Sequence, residues 1–387
     1  MAHVLINAVS AKSGGAATYL INLAAQLVFA NPEHRFTIYV PQALATRMPS
    51  RAGWISVIGT AIGSAAWWQR LLWDQIVLRN IIKCEGVDVL VSSSDFGVLS
   101  APCRQVLLVR NNLFFSAAYE SQVLVHHEWL TRMLFKFRRA MVLASMRSSD
   151  AIMVASHAMR SDMQRMKGCP GKHIMVNAFG VPLDRFACSA LAASPPHGRF
   201  RLLYVSEYAD YKNFTTLYRA VQHLSQSEQR DIRLVTTADP WQHPSVASVS
   251  RDEDQRLSRD PSVAPFVTNV GYVPYADVPA LYHHCDALVF PSIAESFGHP
   301  LVEAMASGRP VIAADTPVNR EICGEAAMYF KPLDAKALAE TVLLLQNDPP
   351  LRAQMSMAGR QRVEQSFDCR DHVERLLTCI DEVVRGT

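Results

Sequence analysis

The chain alternates short apolar runs with longer segments whose apolar residues recur every three or four positions. In its first half, five apolar runs have the length of buried strands: HVLINAV, FTIYV, WISVIG, VDVLVSS and RQVLLV. Segments with helical periodicity separate them, such as AATYLINLAAQLVFA and WWQRLLWDQIVLRNIIK. The alternation returns later with RLLYVSEY, IRLVTTA, FVTNVGY, ALVFPS, PVIAAD and AMYF. Apolar strands between helices predict an α/β fold with parallel sheets covered on both faces.

A length of 387 residues favours more than one domain. We predict two doubly wound α/β domains, at 1–182 and 201–367. A linker rich in small residues and proline, 183–200, joins them, and a last helix occupies 368–387. In such sheets, ligands bind beyond the carboxyl ends of the strands. We therefore expect the two domains to face each other across a cleft that holds the functional residues.

Composition excludes several classes of protein. The net charge of +3 is too small to suggest nucleic-acid binding, and no apolar run is long enough to span a bilayer. The N-terminus lacks the features of a secretory signal, and the eight cysteines form no CxxC pair, so we expect reduced thiols and a cytoplasmic protein. We interpret 239–261 as a polar surface loop with room for one short helix, and its acidic run 252–254 as solvated charge. The paired histidines at 126–127 and 283–284 lack a third ligand at fitting spacing, so no metal is expected.

Two glutamates stand eight residues apart around a turn in ESFGHPLVE. Glu295 follows a predicted strand, Pro300 suits the first turn of a helix, and Glu303 lies inside that helix, which Gly308 ends. The backbone N–H groups at such a helix start can bind an anion, and they belong here to Ser296, Phe297, Gly298 and His299. The flanking carboxylates can accept hydrogen bonds from sugar hydroxyls. The pattern therefore predicts a site for a phosphorylated polyol.

Three further stretches lie at predicted strand ends. SGGAATYL places Gly14 and Gly15 where the backbone can approach a phosphate, although a plain tight turn would look the same. YVSEYADYKNF places Lys212 where it can neutralise a diphosphate. VLLVRNNLFF offers hydrogen-bonding side chains for an acceptor or donor sugar, although one asparagine could simply cap the loop: Arg110, Asn111 and Asn112.

These motifs resemble those of a known family. PSIAESFGHPLVEAMASGRPVIAAD resembles the E-x7-E signature of the retaining glycosyltransferases of family 4, which have the GT-B fold of two Rossmann-like domains. NVGYVPYADVPALYHHCDALVFPS, NAFGVPLDRF and SGGAATYLINLA resemble other segments of that family, so the likeness extends over nearly the whole chain. It implies an N-terminal acceptor-binding domain and a C-terminal nucleotide-sugar-binding domain. The last helix would cross back to the first domain and tether the two.

The resemblance also implies roles for single residues. Glu303 would bind the ribose, while Glu295 would hold the hexose and support the developing positive charge. With Lys212 and Arg110, Glu295 would form the catalytic set. The implied donor site contains thirteen residues: Gly14, Gly15, Ser206, Lys212, Tyr272, Val273, Glu295, Ser296, Phe297, Gly298, His299, Leu301 and Glu303. Arg110, Asn111 and Asn112 would contact the acceptor.

Two positions depart from the family pattern. Ser206 stands six residues before Lys212, where the family usually has an arginine, so Arg110 or Arg320 would have to supply the missing charge. Arg110, Asn111 and Asn112 stand where many members carry a histidine. These departures keep open a non-catalytic partner or sugar-binding role. A nucleotide-sugar epimerase also stays open, whereas a phosphorylase would need a pyridoxal lysine that the sequence does not indicate.

The resemblance implies transfer of a hexose from a nucleotide diphosphate sugar to a sugar or lipid-linked glycan, in bacterial lipopolysaccharide or polysaccharide synthesis. The nucleotide sugar would be a co-substrate, with no separate cofactor. Two stretches bear on membrane contact, the aromatic 67–73 and the basic 132–147. Helix packing with a solvated basic face explains both. Attachment to the inner face of a membrane is the alternative.

Overall fold

The computed structural model describes residues 1–11, 14–30, 33–186, 199–226, 232–241 and 248–386, which form two compact units. Unit 1 contains Met1–Phe115, Leu130–Gly180 and Cys369–Thr387. Unit 2 contains Ser116–Trp129 and Val181–Asp368. The chain therefore contributes one short segment of its first half to unit 2, which the predicted domain boundaries did not include.

Unit 1 is built on a parallel sheet of seven strands in the order β3-β2-β1-β4-β5-β6-β7. All five residues of the interior strand β1 are buried, as a sheet covered on both faces requires. The strands are β1 His3–Asn7, β2 Arg35–Pro41, β3 Ile55–Thr60, β4 Val89–Ser92, β5 Arg104–Leu108, β6 Ala151–Val154 and β7 Ile174–Val176.

Unit 2 is built on a second parallel sheet, of six strands in the order β10-β9-β8-β11-β12-β13. Strands β8 and β11 are direct neighbours, with Leu202 opposite Ala287 and Leu203 opposite Leu288. The loops that leave these two strands therefore start side by side. The strands are β8 Phe200–Tyr204, β9 Ile232–Thr236, β10 Val267–Asn269, β11 Ala287–Phe290, β12 Val311–Ala314 and β13 Ala327–Phe330.

Helices connect the strands in both units, as the sequence predicts. The first eight are α1 Gly14–Ala30, α2 Gln42–Ala45, α3 Trp67–Trp73, α4 Arg79–Cys84, α5 Ala117–Gln122, α6 Trp129–Ser148, α7 His157–Arg165 and α8 Leu183–Phe186. The second eight are α9 Phe214–Gln226, α10 Arg251–Ser258, α11 Val278–His283, α12 His299–Ala306, α13 Pro317–Cys323, α14 Ala335–Asn347, α15 Pro349–Ser366 and α16 Cys369–Arg385. The segment predicted as one helix from Trp67 is divided into α3, a π-helical stretch Asp74–Leu78 and α4.

The last helix belongs to unit 1. α16 packs against α1 and β5, and the His34 ring lies 2.7 Å from the Asp381 carboxylate. Its apolar stripe is buried, including Val373, Leu376 and Ile380. Most of the predicted linker, 187–198, lies outside the described residues. Among the residues that are described, no helix has both the length and the apolarity needed to cross a bilayer.

Candidate functional site

Lys212 and Glu295 form a direct ion pair in unit 2. Lys212 ends a short 3-10 turn after β8, and Glu295 lies in the loop between β11 and α12, so the adjacency of β8 and β11 brings them together. Lys212 Nζ is 2.6 Å from Glu295 Oε1, and both side chains are largely buried. Burial by itself lowers the pKa of Lys212, but the Glu295 carboxylate and then Tyr211 outweigh it, so the pKa is raised. Lys212 is therefore a fixed cation.

Glu303 is buried one helical turn inside α12. Tyr282 Oη donates a hydrogen bond of 2.8 Å to Glu303 Oε2. Burial raises the pKa of Glu303 to about 7, although the hydrogen bond from Tyr282 acts to lower it. The carboxyl group therefore titrates near neutral pH, which a surface glutamate would not do.

The turn before α12 depends on glycine. Gly298 has φ of 87°, and a Cβ there would lie 2.9 Å from Leu301 Cδ1. Phe297 anchors the turn because its ring is buried against Phe367, with centroids 5.6 Å apart. His299 begins the helix and Pro300 follows in its first turn, as predicted.

Leu301 lies in the first turn of α12. Its side chain is fully buried and its N–H donates to the Gly298 carbonyl at 3.0 Å. The contact of Leu301 with the donor stays a prediction. An apolar residue at this helical position fills the space beneath the turn.

The other predicted residues of unit 2 lie on loops at the same edge of the sheet. Ser206 follows β8, and its N–H donates to Thr237 Oγ1 at 2.9 Å. Tyr272 and Val273 follow β10, and Tyr272 is exposed. On α13, the Arg320 side chain donates two hydrogen bonds to Asp315, of 2.5 and 2.8 Å. Its partner is therefore Asp315 rather than the turn that carries Lys212.

The segment Ser116–Trp129 holds the turn that carries Lys212. His127 Nε2 lies 3.2 Å from Asp210 Oδ2, and both side chains are buried. The Tyr119 ring meets the Tyr211 ring edge-on, with centroids 6.3 Å apart. Because Asp210, Tyr211 and Lys212 form one 3-10 turn, these contacts fix the lysine's backbone from the side. We call Ser116–Trp129 the strap.

Asp254 corrects the interpretation of the acidic run. The run lies in the first turn of the short helix α10, where Asp252 is exposed but Asp254 is buried. Its carboxylate accepts hydrogen bonds from Tyr208 at 2.7 Å and Thr215 at 2.6 Å. Burial raises the pKa of Asp254 to about 6, with these hydrogen bonds opposing the rise. Asp254 therefore braces the start of α9 and is not a solvated charge.

The predicted acceptor residues lie in unit 1, after β5. The Arg110 guanidinium stacks on the Tyr19 ring at 4.6 Å and approaches the Phe179 ring at 5.6 Å. The Arg110 backbone N–H donates to Asp95 Oδ1 at 2.9 Å. Burial lowers the pKa of Arg110, and Tyr19 and Asp95 oppose that effect. Arg110 is thus a partly buried cation held by aromatic rings.

The neighbouring asparagines have structural bonds. Asn111 Oδ1 accepts from the Leu113 N–H at 3.1 Å, which caps a 3-10 turn, and Asn112 Nδ2 donates to Asp162 at 3.2 Å. At the start of α1, Gly14 has φ of 59°, which favours glycine, and Gly15 is exposed. Within the described ranges, no group of three or more His, Cys, Asp or Glu residues could hold a metal ion.

α16 contributes a residue to this part of unit 1 that the sequence did not single out. His372 Nδ1 lies 3.0 Å from the Ala178 carbonyl, so it carries the proton, and Nε2 lies 3.2 Å from Tyr19 Oη. Burial lowers the pKa of His372 to about 4. The hydrogen bond to Ala178 acts to raise this pKa, while the charges of Arg375 and Arg110 lower it further. The imidazole is therefore neutral at neutral pH.

Two family models match nearly all of the chain. The model for Glycosyltransferase Family 4 matches residues 13–185, and the model for Glycosyl transferases group 1 matches residues 192–362. The chain belongs to this glycosyltransferase family. The predicted resemblance is thereby confirmed.

Relatives in the family act on various sugars. O-antigen chain mannosyltransferase B of Escherichia coli is 25% identical over 228 residues, which is 57% of this chain and 58% of that one. A glycogen synthase of Mycobacterium tuberculosis strain H37Rv is 26% identical over 247 residues, 63% and 56% of the two chains. The matches therefore span less than two thirds of these relatives' own lengths.

Solved glycosyltransferase structures share the fold. Sucrose-phosphate synthase from Thermosynechococcus elongatus superposes with a TM-score of 0.77 at 18% identity over 100% of both chains. WaaG, a glycosyltransferase involved in lipopolysaccharide biosynthesis, superposes with a TM-score of 0.72 at 16% identity over 100% of both chains. Anabaena HepE in complex with UDP-glucose superposes with a TM-score of 0.74 at 17% identity, covering 99% of this chain and 100% of that one. These likenesses confirm the predicted GT-B fold.

Proposed function

We propose that this family 4 glycosyltransferase moves a hexose from a nucleotide diphosphate sugar to a hydroxyl of a sugar or lipid-linked glycan, with retention of anomeric configuration. The observation that carries the proposal is the buried ion pair between Lys212 and Glu295 beside the start of α12. It lies at the carboxyl edge of the unit 2 sheet, where ligands of doubly wound folds bind.

Lys212 supplies the charge that the leaving diphosphate needs. The glycosidic bond from C1 to the phosphate oxygen breaks with its electron pair going to the diphosphate, and a neighbouring cation stabilises that charge. Lys212 suits this role because its raised pKa keeps it protonated. The acceptor hydroxyl attacks C1 from the face of the leaving group and gives its proton to the departing phosphate oxygen. This route needs no strong protein base.

The two glutamates take different parts of the donor. Glu295 accepts hydrogen bonds from hexose hydroxyls and supports positive charge at C1. Glu303 accepts from the ribose, and the loop with Tyr272 and Val273 lines the base. The amides before α12 bind the phosphates. Gly14 and Gly15, with Ser206, complete the donor contacts.

Arg110 is proposed for the acceptor side together with its asparagine neighbours. Its guanidinium stays charged while its stacking on Tyr19 fixes its direction. Asn111, from its capped turn, and Asn112, beside Asp162, are proposed to contact the acceptor with it. Arg320 has no place in this proposal, since Asp315 holds it.

The relatives support a bacterial surface polysaccharide as the destination of the hexose. Two of them are named as O-antigen chain mannosyltransferases, and WaaG is named for lipopolysaccharide biosynthesis. We accordingly place the reaction in the cytoplasm, at the inner face of the membrane. Because HepE binds UDP-glucose, a uridine donor is tested first.

A non-catalytic role is the second candidate, and Ser206 at the family's arginine position favours it. Incubating the purified protein with UDP- and GDP-hexoses, with and without a glycan acceptor, separates the candidates. Acceptor-dependent release of nucleotide diphosphate with an α-linked product from an α-donor supports retaining transfer. Binding without release supports the non-catalytic role, and a changed sugar configuration in the recovered donor supports an epimerase.

A further inference from the structure

Unit 1 carries a cluster of exposed apolar side chains that its own core does not use. They come from α3, the π-helical stretch after it and the first half of α6, and each is between 42% and 60% exposed. They are Trp68, Leu72, Ile76 and Val77, with Leu130, Met133, Leu134 and Phe137. Soluble domains rarely expose so many large apolar residues together without a partner.

The two groups belong to one surface. The Trp67 ring meets the Phe137 ring with centroids 6.4 Å apart, and the Arg138 guanidinium lies 5.6 Å over Trp67. On α6 the exposed residues follow helical spacing of three and four, so they form one stripe. On the other segment Trp68, Leu72 and Ile76 do the same. We call these eight residues the apolar face.

The two segments that carry the apolar face are rich in basic residues. Segment 130–148 contains five basic residues and no acidic one: Arg132, Lys136, Arg138, Arg139 and Arg147. Segment 67–84 adds Arg70, Arg79 and Lys83, and its one acid, Asp74, is buried. The exposed Glu85 and Glu128 adjoin the two segments, whose eight basic residues still outnumber the acids clearly.

We infer that the apolar face docks on an anionic lipid bilayer, with its large apolar side chains in the interface and the basic residues on lipid headgroups. Helices with an apolar stripe rich in Trp, Leu and Phe and a flank of Lys and Arg bind membranes in this way. A second copy of the chain fits less well, because a two-fold contact through this face would oppose its own positive charges. This surface is defined by contacts in unit 1 alone and does not depend on the proposed transfer.

The test uses the full chain and sucrose-loaded vesicles that sediment with bound protein. One set contains phosphatidylethanolamine with phosphatidylglycerol, and the other contains phosphatidylcholine alone. We expect binding to the anionic set, weakened by salt, and little binding to the neutral set. The double variant Arg132→Gln/Lys136→Gln should bind about 30-fold more weakly. The variant Leu72→Ser/Met133→Ser should bind the anionic vesicles at least about tenfold more weakly.

Matched controls carry the same changes on exposed residues of unit 2. Lys331→Gln/Lys336→Gln removes two charges, and Leu344→Ser/Met357→Ser removes two apolar groups, without touching the face. Both controls should bind like the unaltered protein. Circular dichroism melting checks that every variant is folded.

Three results would overturn the inference. One is equal binding to anionic and neutral vesicles. Another is an equal loss in the face variants and the unit 2 controls. The third is a concentration-dependent dimer in sedimentation velocity that Leu72→Ser/Met133→Ser abolishes while vesicle binding is absent. The last outcome would assign the face to a second copy.

Discussion

At the scale of single residues, burial decides how the candidate site behaves. Glu303 and His372 are both buried, one in each unit, and burial disfavours the charged form of each. The pKa of the glutamate rises and that of the histidine falls. Their effects on stability therefore run in opposite directions with pH.

Glu303 should make the protein less stable as pH rises. Its folded pKa of about 7 lies above the ordinary 4.5, so the folded state holds the proton more tightly and stability is lost between about pH 4.5 and 7. Glu303→Gln removes this loss of roughly 3 kcal/mol and can still accept from Tyr282. Melting should show the variant roughly 5 °C more stable than the unaltered protein at pH 8, and nearly equal at pH 5.

The control for this prediction is Glu364→Gln on the exposed side of α15, which should shift neither melting temperature. If Glu303→Gln and the unaltered protein have parallel stability curves from pH 5 to 8, Glu303 does not titrate as described. In the same variant, donor binding should weaken, because the ribose loses a charged acceptor.

Among the secondary-structure elements, the sequence predicted where strands and helices lie along the chain. It did not predict which strands lie side by side in a sheet. It predicted that Lys212 and Glu295 each follow a strand, and it gave them separate roles. Their contact depends on β8 lying beside β11, a long-range pairing that local periodicity does not encode. The same limit explains Asp254: its acidic neighbours suggested solvent, but Tyr208 and Thr215 come from other segments.

The strap shows this limit most clearly. No local signal in residues 116–129 indicates that they pack with unit 2 and hold the turn of Lys212. The carboxylate partner of His127 is Asp210, which lies 83 residues away in sequence. The pair could therefore be recognised only once the fold was known.

We predict that His127 positions Lys212 through Asp210. His127→Ala should lower kcat on the order of tenfold with little change in KM, because a displaced lysine stabilises the transition state less. His127→Gln, which can donate to Asp210, should recover part of the loss. The adjacent His126→Ala is the matched control, since His126 is exposed. Equal kinetics in His127→Ala and His126→Ala would reject the positioning role.

The docking of α16 should weaken in acid. His372 has a folded pKa of about 4 against an ordinary 6.5, so the unfolded chain takes up the proton first and stability is lost as pH falls from about 6.5 to 4. The loss is roughly 3 kcal/mol. Urea unfolding at pH 7 and pH 5 should show a smaller decrease for His372→Gln than for the unaltered protein. The exposed His173→Gln should behave like the unaltered protein, and an equal decrease in all three would contradict the assignment.

At the scale of the whole molecule, fold and family followed from the motifs, and the family models confirm them. The motifs could place donor-binding residues at strand ends because parallel sheets gather those ends at one edge. They could not predict how deeply each of these side chains is buried, as Leu301 and Glu303 show. Burial of these side chains depends on how the turn at Gly298 packs against α12, which the motif alone does not encode.

The charge chemistry of the whole site predicts independence from metal ions. Lys212 and the amides before α12 can meet the diphosphate charge, and the described residues contain no cluster of metal-binding side chains. Transfer activity should therefore stay within about twofold in excess EDTA, since a removed metal clamp would cost several kcal/mol. Activity that disappears in EDTA and returns with magnesium or manganese would contradict this.

We propose that the Lys212–Glu295 pair activates a nucleotide diphosphate sugar, and the steady-state kinetics of Lys212→Ala provide the decisive test. With the donor that the unaltered protein turns over, Lys212→Ala should lower kcat about 100-fold or more, as loss of one preorganised charge does. Lys336→Ala, an exposed lysine of the same unit, should leave kcat unchanged. If Lys212→Ala turns over the donor at the rate of Lys336→Ala, the pair is not the catalytic centre.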